Sequence, residues 1–287
     1  MNHPAKRKLT GLLIFVILIL LAILFLLPIL IVLMNSFKGQ FFISSAPFAF
    51  PTFSEAPGQP MTFAGLTNYL NGLQKTGFLS AFGYSLFITL ASVGLILLCC
   101  SMAAWYLTRV RNAAVSAIYY LFVFSMIVPF QMVMFTMSKI ANLLRLDNPV
   151  GIVLIYLGFG AGLSVFLFCG FLRGLPLEIE EAAMIDGCSP IQAFFLVVFP
   201  ILRPTAITVA ILNTMWIWND YLLPYLVIGN KYKTIPIAVQ YLQGGYGSRD
   251  MGALMAMLVL AILPIVVFYL TSQKYIIKGV AAGAVKG

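Results

Sequence analysis

Six apolar runs, each long enough to cross a lipid bilayer, restrict what this chain can fold into more than any single residue does. The first, 11–34, contains no charged side chain. As a helix rising ~1.5 Å per residue it reaches ~36 Å, enough to cross a ~30 Å hydrocarbon core with some tilt. Five more are expected at about 81–107, 113–137, 151–172, 205–228 and 251–271. In hydrocarbon every backbone polar group must be paired within the protein, and segments of this length satisfy that as helices. The expectation is an all-α polytopic membrane protein, with 1–287 forming one transmembrane domain of six helices. Lys6, Arg7 and Lys8 give the first run the start of a secretory leader. Its apolar stretch exceeds the ~7–15 residues of a leader core and no small-x-small cleavage site follows, so an uncleaved helix is expected.

Composition supports the same class. Only 9% of the 287 residues are charged, against ~25% in soluble domains. The net charge of +9 comes from basic residues that flank apolar runs instead of forming a stripe, which fits membrane orientation and not nucleic acid. Six spans put both termini on one side. Lys6, Arg7, Lys8, Arg109, Arg111, Arg173, Arg203, Lys274, Lys278 and Lys286 then share that side. Lys38, Lys75, Lys139, Arg145, Lys231, Lys233 and Arg249 lie opposite, on longer segments. The denser side is expected to be cytoplasmic, with both termini there and the protein in the cell membrane. The outward segment 35–80 holds Pro47, Pro51, Pro57 and Pro60, which disfavour one long helix and allow short packed pieces. Pro28, Pro129, Pro224 and Pro264 lie within spans, where kinks beside helices or a cavity compete with the ordinary tolerance of membrane helices for proline.

Several chemistries are missing. His3 is the only histidine, so neither a histidine-based metal site nor a Ser-His-Asp triad can be assembled from this chain. Cys99, Cys100, Cys169 and Cys188 fall outside the outward segments and imply no disulfide framework. No G-x-x-x-x-G-K-[ST] sequence is present to cradle ATP phosphates.

The polar interruption 173–204, RGLPLEIEEAAMIDGCSPIQAFFLVVFPILRP, carries Glu178, Glu180, Glu181 and Asp186, four of the eight carboxylates. Pro176 suits the first turn of a helix, the three glutamates complement its dipole, and Asp186-Gly187 supplies a turn. Ser189 then caps a second helix starting at Pro190, on which Ile191, Phe194, Phe195 and Val198 form one apolar face. The Ala182-Ala183 pair admits a close neighbour. Two short helices presented to a soluble partner and an amphipathic segment lying on lipid headgroups both fit this pattern, although the acidic face argues slightly against lipid.

The same stretch resembles the EAA loop of binding-protein-dependent ABC importer permeases. Glu181-Ala182-Ala183, Asp186-Gly187, Phe194 and Pro200 stand at that loop's spacing. Cys188 replaces the usual alanine, and Leu196 sits where a basic residue is frequent. Trp218-Asn219-Asp220-Tyr221 with Pro224, Thr234-Ile235-Pro236-Ile237-Ala238, and Lys274-Tyr275-Ile276-Ile277-Lys278-Gly279 with Gly283-Ala284-Val285-Lys286-Gly287 resemble the carbohydrate branch. In that branch the match is to the six-span member of maltose-type permease pairs. The resemblance implies a type I importer fold with coupling helices and Glu181, Ala182, Ala183, Asp186, Gly187, Phe194 and Pro200 as ATPase-coupling residues. It also implies a dimeric ATP-binding subunit holding ATP and Mg, a second homologous permease and an extracytoplasmic solute-binding protein. This chain would hold no cofactor or metal and would be no enzyme.

For the substrate pathway, Asn213, Trp216, Asn219, Asp220 and Gln131 are candidates. Asp220 is a carboxylate inside the fifth span, and Trp216, Trp218 and Tyr221 offer aromatic faces to a sugar. A structural capping role for Asp220 and an interhelical hydrogen bond for Gln131 compete with that reading. The turn 244–247 is an ordinary loop or a contact for an external binding protein. A secondary carrier is the alternative function, but it calls for charges deep in several spans, where Asp220 stands alone. A membrane-embedded enzyme would need a nucleophile and base that the spans do not offer.

Overall fold

A computed structural model describes residues 4–54, 60–229, 231–243 and 250–284, with side chains described for those between 11 and 275. His3, the turn 244–247 and residues 285–287 of the terminal motif lie outside the described residues. The described secondary structure is helical, with one isolated bridge between Lys38 and Phe63. The long helices are α1 (Pro4–Asn35), α4 (Phe78–Arg109), α7 (Pro149–Leu172) and α14 (Met251–Ala284). Each contains an unbroken stretch long and apolar enough to cross a membrane. Pro28 and Pro264 are carried inside α1 and α14 without ending either helix.

The expected third span, 113–137, is not one helix. It forms α5 (Ala113–Ser125) and α6 (Phe130–Leu143), bent by 105°. Pro129 immediately precedes α6, and its ring disfavours helical geometry in the residue before it. The fifth also differs from the expected 205–228. α11 (Arg203–Asn219) stops where Asp220 turns extended, and α12 (Leu222–Val227) follows. Short helices fill the connections: α2 (Gln40–Ser45), α3 (Thr67–Thr76), α8 (Glu178–Ile185), α9 (Pro190–Ala193), α10 (Phe199–Ile201) and α13 (Ile235–Tyr241). A π-helical turn, Phe194–Val198, joins α9 to α10.

Contacts divide the chain into two compact units. The first comprises 1–78 and 238–263. There Asn68 donates Nδ2 to the carbonyls of Ser36 and Lys38, both at 2.8 Å, and Tyr69 shares a hydrogen bond with Ser36. Lys38 is buried and donates Nζ to the Ala46 carbonyl; burial holds its ammonium below the usual lysine range. Gly252 sits so close to Asn68 that a Cβ would fall 2.3 Å from its Oδ1, which fixes α3 against the start of α14. Lys75 pairs with Asp250 beside this contact.

The second unit, 79–237 with 264–287, holds the larger core. Ile96, Cys100 and Ala104 of α4 pack with Val165, Phe168, Cys169 and Leu172 of α7 and with Phe194, Val198 and Leu202. Asn148 starts α7 by accepting from the N–H groups of Val150 and Gly151, with Pro149 at its first turn. Close packing depends on small residues, as is usual between membrane helices. A Cβ on Gly160 would stand 2.6 Å from Ile96 Cδ1, and one on Gly162 would stand 2.8 Å from the Phe122 carbonyl.

Candidate functional site

The polar loop folds as the residue pattern leads one to expect in its first half. Glu178, Glu180 and Glu181 occupy the first turn of α8, near the exposed N–H groups they complement. Pro176 stands just ahead of that helix, before Leu177, and not within its first turn. Gly187 takes φ +92°, a conformation open to glycine and strained for other residues, with open space where a Cβ would go. Ser189 then caps α9 with a reciprocal capping box: its Oγ accepts from the Gln192 N–H and Gln192 Oε1 accepts from the Ser189 N–H.

The second half departs from expectation. Ile191, Phe194, Phe195 and Val198 do not form one face. Phe194 and Val198 are fully buried, whereas Ile191 is 63% exposed and Phe195 is also exposed. A π turn over Phe194–Val198 interrupts α-helical periodicity across the second half of this stretch, while Ile191 lies ahead of it on α9. The Ala182-Ala183 pair also splits, Ala183 being buried and Ala182 exposed. Pro200 is exposed beside an apolar cleft of about 290 Å³ lined by Leu97, Phe199, Arg203, Ala206, Ile207 and Ala210. Segment 190–201 meets α11 at a 75° bend, so the loop lies across the axis of the helix it feeds.

The loop therefore has two sides. Glu180, Ala183, Ala193, Phe194 and Val198 face the core, while Glu181, Ala182, Met184, Ile185, Asp186 and Gly187 are exposed. Ile185 is 85% exposed at the end of α8, an apolar tip on an acidic ridge. The inner side is held by residues that the sequence pattern did not single out. Arg109, at the end of α4, donates Nε to Glu180 Oε1 at 2.8 Å and also engages that oxygen through Nη2. Its guanidinium reaches the carbonyls of Leu172 and Leu175 as well. Trp105, one turn earlier on α4, donates Nε1 to Glu180 Oε2 at 2.9 Å and lays its ring 5.2 Å from that of Phe194. Arg173 stacks over Tyr119, 4.6 Å from the ring centroid, and ties the end of α7 towards α5.

Four of the five pathway candidates lie on α11 or at its end, and Gln131 does not join them. Asn213 is buried, donating to Ser164 Oγ on α7 at 3.1 Å and to the Val209 carbonyl. Trp216 is 40% exposed, its ring edge-on to Tyr156. Asn219 is exposed and returns its amide to the Met215 carbonyl. Asp220 accepts the Tyr156 hydroxyl on Oδ2 at 3.0 Å, while Oδ1 caps the N–H groups of Leu222 and Leu223. Its carboxylate thus closes the helix break and pins it to α7, the capping role that competed with substrate contact. Gln131 is exposed in the first turn of α6. Tyr156 and Ser164 were missed; a tyrosine and a serine inside an otherwise apolar span were the available signal. Among the described residues no cluster of three His, Cys, Asp or Glu side chains is placed to hold a metal ion.

Comparison with known proteins adds three findings. The family profile described as "Binding-protein-dependent transport system inner membrane component" matches residues 101–282. Among curated proteins, the chain is 38% identical over 270 residues to the probable starch degradation products transport system permease protein AmyC of Thermoanaerobacterium thermosulfurigenes, covering 93% of this chain and 94% of that one. It is 33% identical to the multiple sugar-binding transport system permease protein MsmG of Streptococcus mutans, covering 95% and 96%. Among solved structures, a chain from a bacterial ABC transporter involved in alginate import superposes with a TM-score of 0.76 at 19% identity, covering 96% of this chain and 99% of that one. That last likeness speaks to the fold.

Proposed function

Because the chain belongs to the family of binding-protein-dependent transport system inner membrane components, we propose that it is a permease subunit carrying a sugar or oligosaccharide through an ATP-driven importer. The single observation that carries the coupling half of this reading is the two-sided loop 173–204. One side is fixed to α4 by Trp105 and Arg109, and the other offers Glu181, Ala182, Ile185, Asp186 and Gly187 to a partner. A short element that is rigid on one side and exposed on the other can pass a partner's motion to the helices behind it. The partner is a dimeric ATP-binding subunit, which holds the ATP and Mg. This chain supplies no P-loop and no ATPase chemistry of its own. A second homologous permease completes the pathway, and an extracytoplasmic binding protein delivers the solute. The sugar assignment rests on the substrates after which those relatives are named.

The six-span arrangement, with 1–287 as one domain and both termini and the loop cytoplasmic, is part of the same proposal. Its support is topological. Arg109 touches Leu172, Leu175 and Glu180, so the end of α4 and the end of α7 share one side of the membrane. An even number of crossings must separate them. α7 crosses once, so the bent α5–α6 pair serves as the other crossing. In this reading Trp216 is the pathway residue with accessible aromatic surface, Asn219 and Gln131 are exposed polar groups along it, and Asn213 and Asp220 shape it from within the helix contacts.

The test is purification of the tagged chain in mild detergent from its native host, followed by identification of the bound proteins and of the sugars that stimulate hydrolysis. A P-loop ATPase and a second permease should be recovered, with hydrolysis rising on addition of binding protein loaded with malto-oligosaccharide or another sugar. Gly187→Pro, incompatible with φ +92°, should insert normally yet abolish uptake. A chain that purifies alone and monodisperse would bring the secondary-carrier reading forward.

A further inference from the structure

Adjacent carboxylates at 180 and 181 point in opposite directions, and the inner one is the better held. Glu180 is 3% exposed, and both of its oxygens are engaged by side chains of α4: Oε1 by Arg109 and Oε2 by Trp105. Arg109 also binds the last carbonyls of α7 and its following turn, at Leu172 and Leu175. Trp105 additionally lays its ring against Phe194 at a 40° tilt, and Phe194 is fully buried at the start of the π turn. Two side chains one helical turn apart on α4 therefore grip both halves of the loop at once. α8 is held through Glu180 and the following helix through Phe194.

We propose that Glu180, Arg109 and Trp105 form a clasp that makes α8 and the end of α4 one rigid body, with Glu180 as the positioning residue of energy coupling. The inference rests on the permease reading above and deepens it. Glu181, Asp186 and the Ile185 tip meet the ATPase. Glu180 carries their displacement into α4, and through Arg109 into the end of α7. A buried, charge-assisted contact in which Arg109 holds one carboxylate oxygen and Trp105 the other suits this task because it has a narrow geometry and little freedom to slip. Apolar packing at Ala183 alone would let α8 slide. Without the clasp, α8 still follows the ATPase, but α4 no longer follows α8.

The measurement uses the complete importer reconstituted in nanodiscs, with spin-labelled residues introduced at positions 177 and 106. Leu177, at the start of α8 and away from the Ile185 tip, and Tyr106 are 46% and 57% exposed, so labels fit at both. The distance between the labels is read without nucleotide and again with ATP and vanadate. In the otherwise unchanged chain one narrow distance should persist in both states. In Glu180→Ala the nucleotide-free distance should match it, whereas ATP and vanadate should shift it by about one helical rise per turn, ~5 Å, or split it into two populations. Sugar moved per ATP hydrolysed should fall roughly tenfold, the scale of one lost hydrogen bond to a charged group. Trp105→Phe, which keeps the ring on Phe194 but removes the N–H, should give a smaller shift in the same direction. Where Glu180→Ala fails to insert, Glu180→Gln gives the reading, since it retains volume and loses the charge. A label distance in the variant that stays fixed through the cycle overturns the clasp, as does one that already moves in the unchanged chain. Failure of an ATPase to co-assemble with the unchanged chain would instead overturn the permease reading, so the two failures are distinct.

Discussion

Asp220 illustrates how a residue type can be read correctly for cost and incompletely for purpose. A carboxylate in an apolar segment needs partners, and it has three: the Tyr156 hydroxyl and the N–H groups of Leu222 and Leu223. The sequence announces the cost but not the remedy, because Tyr156 lies 64 positions away and its partner depends on how α7 meets α11. The same holds at the loop. Glu181 is conspicuous through the family spacing, whereas Glu180 becomes distinctive only once Arg109 and Trp105 are brought to it. Asp220→Ala should leave two N–H groups and the tyrosine hydroxyl to find other partners, at about 1–3 kcal/mol of stability. Tyr156→Phe, which removes one of the three contacts, should cost less. Both effects are readable as a lowered midpoint in detergent thermal unfolding. Equal midpoints for Asp220→Ala and the parent would contradict the capping role, and loss of uptake at unchanged stability would point to substrate contact.

Among the elements, the four long apolar helices were legible because they declare themselves by composition, while the breaks in the other two apolar runs were not. Pro129 signals a kink, but proline within α1 and α14 passes without a break. At Pro129, by contrast, the chain bends by 105° between α5 and α6. The π turn at Phe194–Val198 has no sequence signature, and the single apolar face expected across Ile191, Phe194, Phe195 and Val198 is not what forms. α3 and the start of α14 are joined by Lys75 and Asp250. Burial raises the Asp250 pKa, but the Lys75 ammonium and the Ala253 N–H outweigh it, so the carboxyl titrates below its ordinary value. The stability from this pair is fully present above the ordinary value of ~3.9 and is lost as pH falls through the lower folded value. With Lys75 54% exposed, the contribution is about 1 kcal/mol or less. Hydrogen exchange across α3, corrected for intrinsic rates, should be unchanged between pH 7 and about pH 5 and should rise only near pH 3 and below. A rise near pH 5 would contradict the assignment.

At the scale of the whole molecule, class and family were legible, since apolar runs fix the first and the loop's spacing the second. The loop's division into a gripping and a presenting side was not, because amphipathicity cannot tell which neighbour lies opposite a face. Under the proposed function that division would make the chain a transmission element instead of a passive channel wall, and that role turns on what touches the tip of α8. A photoactivatable amino acid at position 185, in the assembled transporter in native membranes, tests this most directly. Crosslinking should capture the ATP-binding subunit in high yield, and Glu181→Lys should reduce that yield together with uptake. A crosslink to lipid alone, or labelling of position 185 by a membrane-impermeant reagent from outside the cell, would contradict the coupling role of the loop.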